Sequence, residues 1–257
     1  MEGAGSPAPS TTPLPGNRLS SAAMPRYPDL PPGSRCIRNV QRDFPEWHRG
    51  RPHYALWGLD VDVPEVRRQV DAARGGLNGL LLDGYVRQPH VTLGLCGFPC
   101  ADPQRSDDFG PAMLRAQLAA LRALRPAPFE IAIGGLNSFA SAPYLTVSDT
   151  QGQLATLHES LSAGGLKRTD GGFVPHVTVG LYADAWPAGA VRARLADCAA
   201  GETLRLSVPR ITLFSYAARE IGGTLARLAE YALDGGELCW RENLPEQLAA
   251  HRAPHCN

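Results

Sequence analysis

A seven-residue string occurs twice in this chain, as Pro89-His90-Val91-Thr92-Leu93-Gly94-Leu95 and as Pro175-His176-Val177-Thr178-Val179-Gly180-Leu181. Six of the seven positions are identical, a match expected by chance in roughly one chain in a hundred at ordinary residue abundances. Both copies are β-branched or apolar runs, so an extended backbone is expected. The period of two then puts His90 beside Thr92, and His176 beside Thr178, on one strand face each. Each copy thus presents an imidazole, which titrates near neutrality, and a hydroxyl, which can hold a phosphoryl oxygen without charge repulsion. Two such pairs on one cleft would make an acid, a base and a cradle for a tetrahedral anion.

The surrounding elements repeat as well. Tyr54 to Val61 reads as a buried strand, and Asp62 and Glu65 around Pro64 form a capping-type entrance to a helix with Val66, Val70, Ala73 and Leu77 on one face. The strand of His90 follows. After a polar loop, Leu114, Leu118 and Leu121 mark an amphipathic helix that ends before Pro126, with Arg115, Arg122 and Arg125 on a solvated face. Strands at 129–133 and 144–147, a helix with Leu154, Leu157 and Leu161, and the strand of His176 make a second round. Val191, Leu195 and Cys198 suggest a short helix. Leu204 to Phe214 alternates as a strand broken at Pro209, and residues 224–233 fit a helix or a strand. Repetition of motif and of elements is what an internally duplicated α+β fold shows.

Composition narrows the chemistry. The 25 basic and 25 acidic residues cancel, so no overall field recruits long nucleic acid or an anionic membrane. Lys167 is the one lysine among those 25 basic residues, which disfavours a lysyl-adenylate ligase. No P-loop sequence is present, and the glycine pairs lack a dinucleotide-loop context. Six scattered cysteines give no disulfide framework, and Cys96 with Cys100 lack a second ligand pair, so free thiols in a reducing cytoplasm are expected. No basic-plus-apolar leader begins the chain and no apolar run approaches ~18 residues, so neither secretion nor a membrane span is supported. Residues 1–34 hold eight prolines among small and polar residues and read as a disordered segment, within which Met24 is a candidate start; 236–257 reads as a tail of unknown order.

His-x-Thr-hydrophobic used twice, with Phe173-Val174-Pro175-His176 leading into the second copy, resembles the two-histidine (2H) phosphoesterase superfamily, whose best-known branch is the LigT-like 2′-5′ RNA ligase and RNA 2′,3′-cyclic phosphodiesterase group. The resemblance spans residues 51 to about 235, with lobes at about 51–100 and 127–183 and C-terminal strands to about 233; it tips 224–233 to strand. It implies a bilobal, pseudo-two-fold duplicated α+β fold, two antiparallel sheets lining a central cleft with helices outside. It further implies catalytic His90 and His176, phosphate-binding Thr92 and Thr178, and no cofactor or metal. The expected partner is a small cyclic phosphodiester or an RNA 3′ end, met by a monomer. Tyr182, Phe173, Tyr85 and Arg87 flank the motifs and are candidate substrate contacts through stacking or as rim groups. Alternatives stay open: strand histidines satisfied by backbone groups, zinc bound by two imidazoles, an ATP-independent 2′-5′ ligase, a non-catalytic nucleotide-binding or RNA-binding module, or an interaction scaffold. His158 reads as an ordinary, partly buried helix residue.

Overall fold

The computed structural model describes residues 33–163, 172–198 and 201–241. Met24, Lys167, residues 1–32 of the segment read as a disordered N-terminus and residues 242–257 of the tail lie outside them. Five helices and ten strands are described: α1 (Pro45–His48), β1 (His53–Asp60), α2 (Pro64–Gly76), β2 (His90–Pro99), β3 (Asp108–Phe109), α3 (Pro111–Leu124), β4 (Phe129–Ser138), β5 (Pro143–Ser148), α4 (Gln153–Ala163), β6 (His176–Thr178), α5 (Ala188–Asp197), β7 (Leu204–Val208), β8 (Arg210–Ala217), β9 (Ala226–Ala232) and β10 (Leu238–Trp240).

They build two sheets, one in the order β10-β9-β8-β1-β2-β3 and one in the order β6-β5-β4-β7. Pairing is antiparallel except between β2 and β3. Pro209, which has no N–H for a ladder, separates β7 from β8 and thereby sends the chain from one sheet to the other. Residues 224–233 are largely strand, as β9. Part of the supposed tail is also ordered, because Asp234-Gly235-Gly236, with Gly236 at φ +67°, turns the chain back and pairs Leu238 with Tyr231.

One apolar core serves both sheets: Trp57 and Leu59 of β1, Val91 and Leu93 of β2, Ile131 and Ile133 of β4, and Val177 of β6 belong to the same buried cluster. Helix α3 closes it from outside. Its Gln117 is fully buried because its amide oxygen accepts the Trp57 indole N–H at 3.0 Å and its amide nitrogen donates to the Leu161 carbonyl at 3.3 Å. Arg115, Arg122 and Arg125 face solvent. The α2 entrance differs from expectation: Val63 is the N-cap and no side chain caps it, Pro64 supplies the preset φ of the first turn, and the Asp62 carboxylate binds Arg67 instead.

Residues 33–44, of which 33 and 34 fall in the segment read as disordered, form a strap across the second half of the fold, with the Ser34 carbonyl accepting the Ala188 N–H at 2.9 Å. Cys36 N–H donates to the Trp186 carbonyl and Ile37 N–H to the Ala140 carbonyl, and the buried Asn39 amide donates to the carbonyls of Ser141 and Tyr182. The strap then enters α1, where Trp47 packs against Tyr54 and Phe98.

Candidate functional site

The two histidine strands come from different sheets and pack against one another. On β2, His90 lies opposite Asp60 and Thr92 opposite Gly58; on β6, His176 lies opposite Thr146 and Thr178 opposite Tyr144. Val91 and Val177 between them are fully buried in the shared core. Alternation therefore turns each His and Thr to the other face, as the period of two requires.

Each imidazole is anchored in the same way. His90 Nδ1 lies 2.9 Å from the Gln88 carbonyl and His176 Nδ1 lies 2.7 Å from the Val174 carbonyl. A carbonyl can only accept, so Nδ1 carries the hydrogen in both rings and Nε2 keeps its lone pair when the ring is neutral. The prolines of the repeated string explain this geometry. Pro89 and Pro175 fix φ and hold the preceding residue extended, which aims that residue's carbonyl back at the ring two positions on.

The surroundings of the rings differ. His90 is 8% exposed and lies 6.3 Å edge-on to the Phe214 ring. Its pKa is pushed down from 6.5 to about 4, first by burial, then by the positive charge of Arg87, with the charge of His176 acting in the same direction. That last effect accords with the packing of β2 against β6, the strands that carry the two rings. His176 is half-buried and framed edge-on by two aromatic rings, Phe139 at 4.8 Å and Tyr144 at 5.4 Å.

Of the flanking candidates, two lie beside the motif side chains. Burial raises the pKa of Tyr85 against the opposing influence of Arg87, Arg74 and the Thr178 side chain, so the lead-in to the first motif lies near the hydroxyl of the second. Arg87 donates from Nε to the Gly223 carbonyl at 3.1 Å and lies over the Tyr216 ring at 4.1 Å. The other two do not present themselves to a ligand. Tyr182 is fully buried, its hydroxyl 2.6 Å from that of Ser138, in a cluster with Cys36, Ala188 and Val191. Its position six residues after His176 matches in parity, but β6 ends at Thr178 and alternation ends with it. Phe173 packs against the core and stacks on the His158 ring at 4.2 Å and 4°. His158 in turn bonds the Leu93 carbonyl at 2.7 Å through Nδ1, a structural tie between α4 and β2.

Several site residues carried no sequence signal. Arg74 of α2 donates to the Val179 carbonyl at 2.8 Å and lies over the Tyr85 ring. Phe139, Tyr144, Phe214 and Tyr216 form the aromatic surround, brought in by strand pairing from distant parts of the chain. Cys96 is buried against Gln117, and its thiol is pushed up to about 12 by burial, which suits packing rather than chemistry. Among the described residues, no helix is long and apolar enough to cross a membrane.

One neutral, shielded imidazole and a second, more open one, each with Nδ1 committed to a carbonyl and Nε2 as its proton-exchanging atom, can accept a proton at one point and donate one at another. The two threonine hydroxyls can hold the oxygens of a tetrahedral anion between them.

No curated protein matches the sequence. TT0787 of Thermus thermophilus is similar in structure at 18% identity and a TM-score of 0.48, over 71% of this chain and 98% of that one. E. coli LigT complexed with 3′-AMP is similar at 18% identity and a TM-score of 0.47, with the same coverage of 71% and 98%. A structure described as a phosphoesterase matches at 15% identity and a TM-score of 0.45, over 70% of this chain and 98% of its own. The sequence model of the 2′-5′ RNA ligase superfamily matches residues 62–220. That span covers more than half of the chain and both His-x-Thr motifs, and the chain belongs to this superfamily of 2H phosphoesterases.

Proposed function

We propose that the protein hydrolyses a cyclic phosphodiester, a 2′,3′-cyclic nucleotide or the cyclic phosphate at an RNA 3′ end, by metal-independent general acid–base catalysis. His90, neutral at pH 7 and with its Nε2 lone pair available, removes a proton from water as the water oxygen attacks phosphorus. His176 donates its Nε2 proton to the ribose oxygen as the P–O bond to that oxygen breaks. One water is consumed and one phosphomonoester with a free hydroxyl is formed. The proton taken by His90 and the one lost by His176 are exchanged with solvent. Thr92 and Thr178 hold the nonbridging oxygens, and Arg87 supplies positive charge beside the phosphoryl group.

The observation that carries this reading is the shared anchoring of the two rings: both spend Nδ1 on a main-chain carbonyl, which makes Nε2 the atom that trades protons in each. A packing role would not require that symmetry across two sheets. The test incubates the full chain with 2′,3′-cyclic nucleotides and cyclic-phosphate-ended oligonucleotides, with and without chelator. The expected result is a single phosphomonoester product at an undiminished rate in chelator. Loss of turnover in chelator contradicts the mechanism, and tight binding without product identifies a non-catalytic module instead. Adding RNA with a 5′-hydroxyl tests the joining reaction, in which that hydroxyl replaces water.

A further inference from the structure

The segment that leads into the first histidine is laced, residue by residue, to the loop between β8 and β9. Gly222 packs so tightly on the Tyr85 ring that a Cβ there would lie 2.5 Å from Tyr85 Cδ2. Val86 N–H donates to the Gly222 carbonyl at 3.0 Å, and Arg87 Nε donates to the Gly223 carbonyl at 3.1 Å. Gln88 closes the seam with a two-point clamp on one residue: its amide nitrogen donates to the Leu225 carbonyl at 3.2 Å, and its amide oxygen accepts the Leu225 N–H at 2.7 Å. The carbonyl of this same Gln88 receives the His90 Nδ1 hydrogen. Only Pro89, with its fixed φ, stands between clamp and ring.

The second motif has no counterpart. The residue whose carbonyl anchors His176 is Val174, whose side chain has no polar atom to clamp.

We propose that Gln88 is a positioning residue for the reaction: by gripping the backbone of Leu225 it fixes the carbonyl that sets the tautomer and aim of His90, an adjustment built into the first motif alone. This rests on the proposed role of His90 as base. A carbonyl free to rotate would release Nδ1, and the neutral ring would then populate the other tautomer, with hydrogen on Nε2 and no lone pair for the attacking water. The groups whose charges reach His90, namely Arg87, His176 and Asp60, stay in place in both variants below, but Gln88→Glu adds a carboxylate that also acts on the ring, so Gln88→Met is the variant that isolates the clamp.

Gln88→Met keeps the length of the side chain and removes both bonds. Gln88→Glu keeps the acceptor for Leu225 N–H and loses the donor. Each is compared with the wild type by imidazole 15N shifts at pH 7 and by steady-state kinetics on a 2′,3′-cyclic nucleotide. In Gln88→Met the His90 nitrogen shifts are expected to move toward the Nε2–H tautomer while those of His176 stay fixed. The kcat is expected to fall on the order of 10-fold to 100-fold at nearly constant KM, with Gln88→Glu between the two. A folded Gln88→Met with unchanged His90 shifts and unchanged kcat overturns the proposal. Equal disturbance of both histidines also overturns it, because that would be general loosening. If the wild type turns over no cyclic phosphodiester, the functional reading fails, and the nitrogen shifts alone still decide whether Gln88 sets the ring.

Discussion

His90 keeps its ring neutral under conditions in which an unfolded chain would protonate it, and pH exposes that difference as stability. The ring is 8% exposed, and its pKa drops from 6.5 to about 4 through burial and then through Arg87. Between those values the unfolded state binds a proton that the folded state refuses, so stability falls as pH falls from about 6.5 to about 4 and changes no further from this group outside that window. At 1.36 kcal/mol per pH unit the full effect is about 3 kcal/mol. The comparison is between the wild type and His90→Gln, each unfolded in urea at pH 7, 5.5 and 4, with the slope on denaturant checked for constancy. Carboxylates that titrate near the same range, among them Asp62 and Asp107, which hydrogen bonds from Arg67 and Arg51 hold below their ordinary values, contribute equally to both proteins. The wild type should lose about 3 kcal/mol more than the variant between pH 7 and pH 4. Equal losses in the two would refute the claim that His90 is held neutral. If His90 is the base, the same property sets the acid limb of the kcat/KM profile, which should then lie well below 6.

Particular contacts give three further outcomes. Arg87→Met removes a positive charge beside His90, so the acid limb of kcat/KM should move up toward 6.5 while kcat falls; an unmoved limb would separate Arg87 from the ring. Tyr182→Phe deletes a buried hydroxyl pair with Ser138 and should lower stability by about 1–2 kcal/mol with kcat/KM unchanged, whereas a loss of nucleotide affinity would return Tyr182 to the site. Gly58→Ala should lower stability by about 1–3 kcal/mol and also reduce kcat, since its Cβ would lie 2.7 Å from the carbonyl of Val91, the residue between His90 and Thr92; thermal unfolding and kinetics measured together check both halves.

The catalytic candidates are legible in the sequence because their signal is local. A histidine and a threonine two apart on a strand share a face whatever the rest of the chain does, and repetition makes coincidence a poor explanation. The preceding proline acts over the same short range. What the sequence hides is set by pairing across long separations. Gln88 meets Leu225 across 137 residues, and no pattern near Gln88 announces it. Tyr182 misleads because adjacency to the motif suggests a shared face, yet β6 is only three residues long and the chain leaves the sheet before reaching it. Phe173 lies an odd number of positions from His176 and turns to His158 instead. The strand at Leu238–Trp240 escapes a sequence reading although Asp234-Gly235-Gly236 is a turn signal, because only three residues follow it in register.

The most direct measurement compares His90→Ala, His176→Ala and the double variant with the wild type on a 2′,3′-cyclic nucleotide in the presence of chelator. If the two rings serve one transition state as base and acid, each single variant loses roughly 100-fold to 10,000-fold in kcat, and the double variant falls little further than the worse single one. Near-wild-type turnover in either single variant would contradict the account.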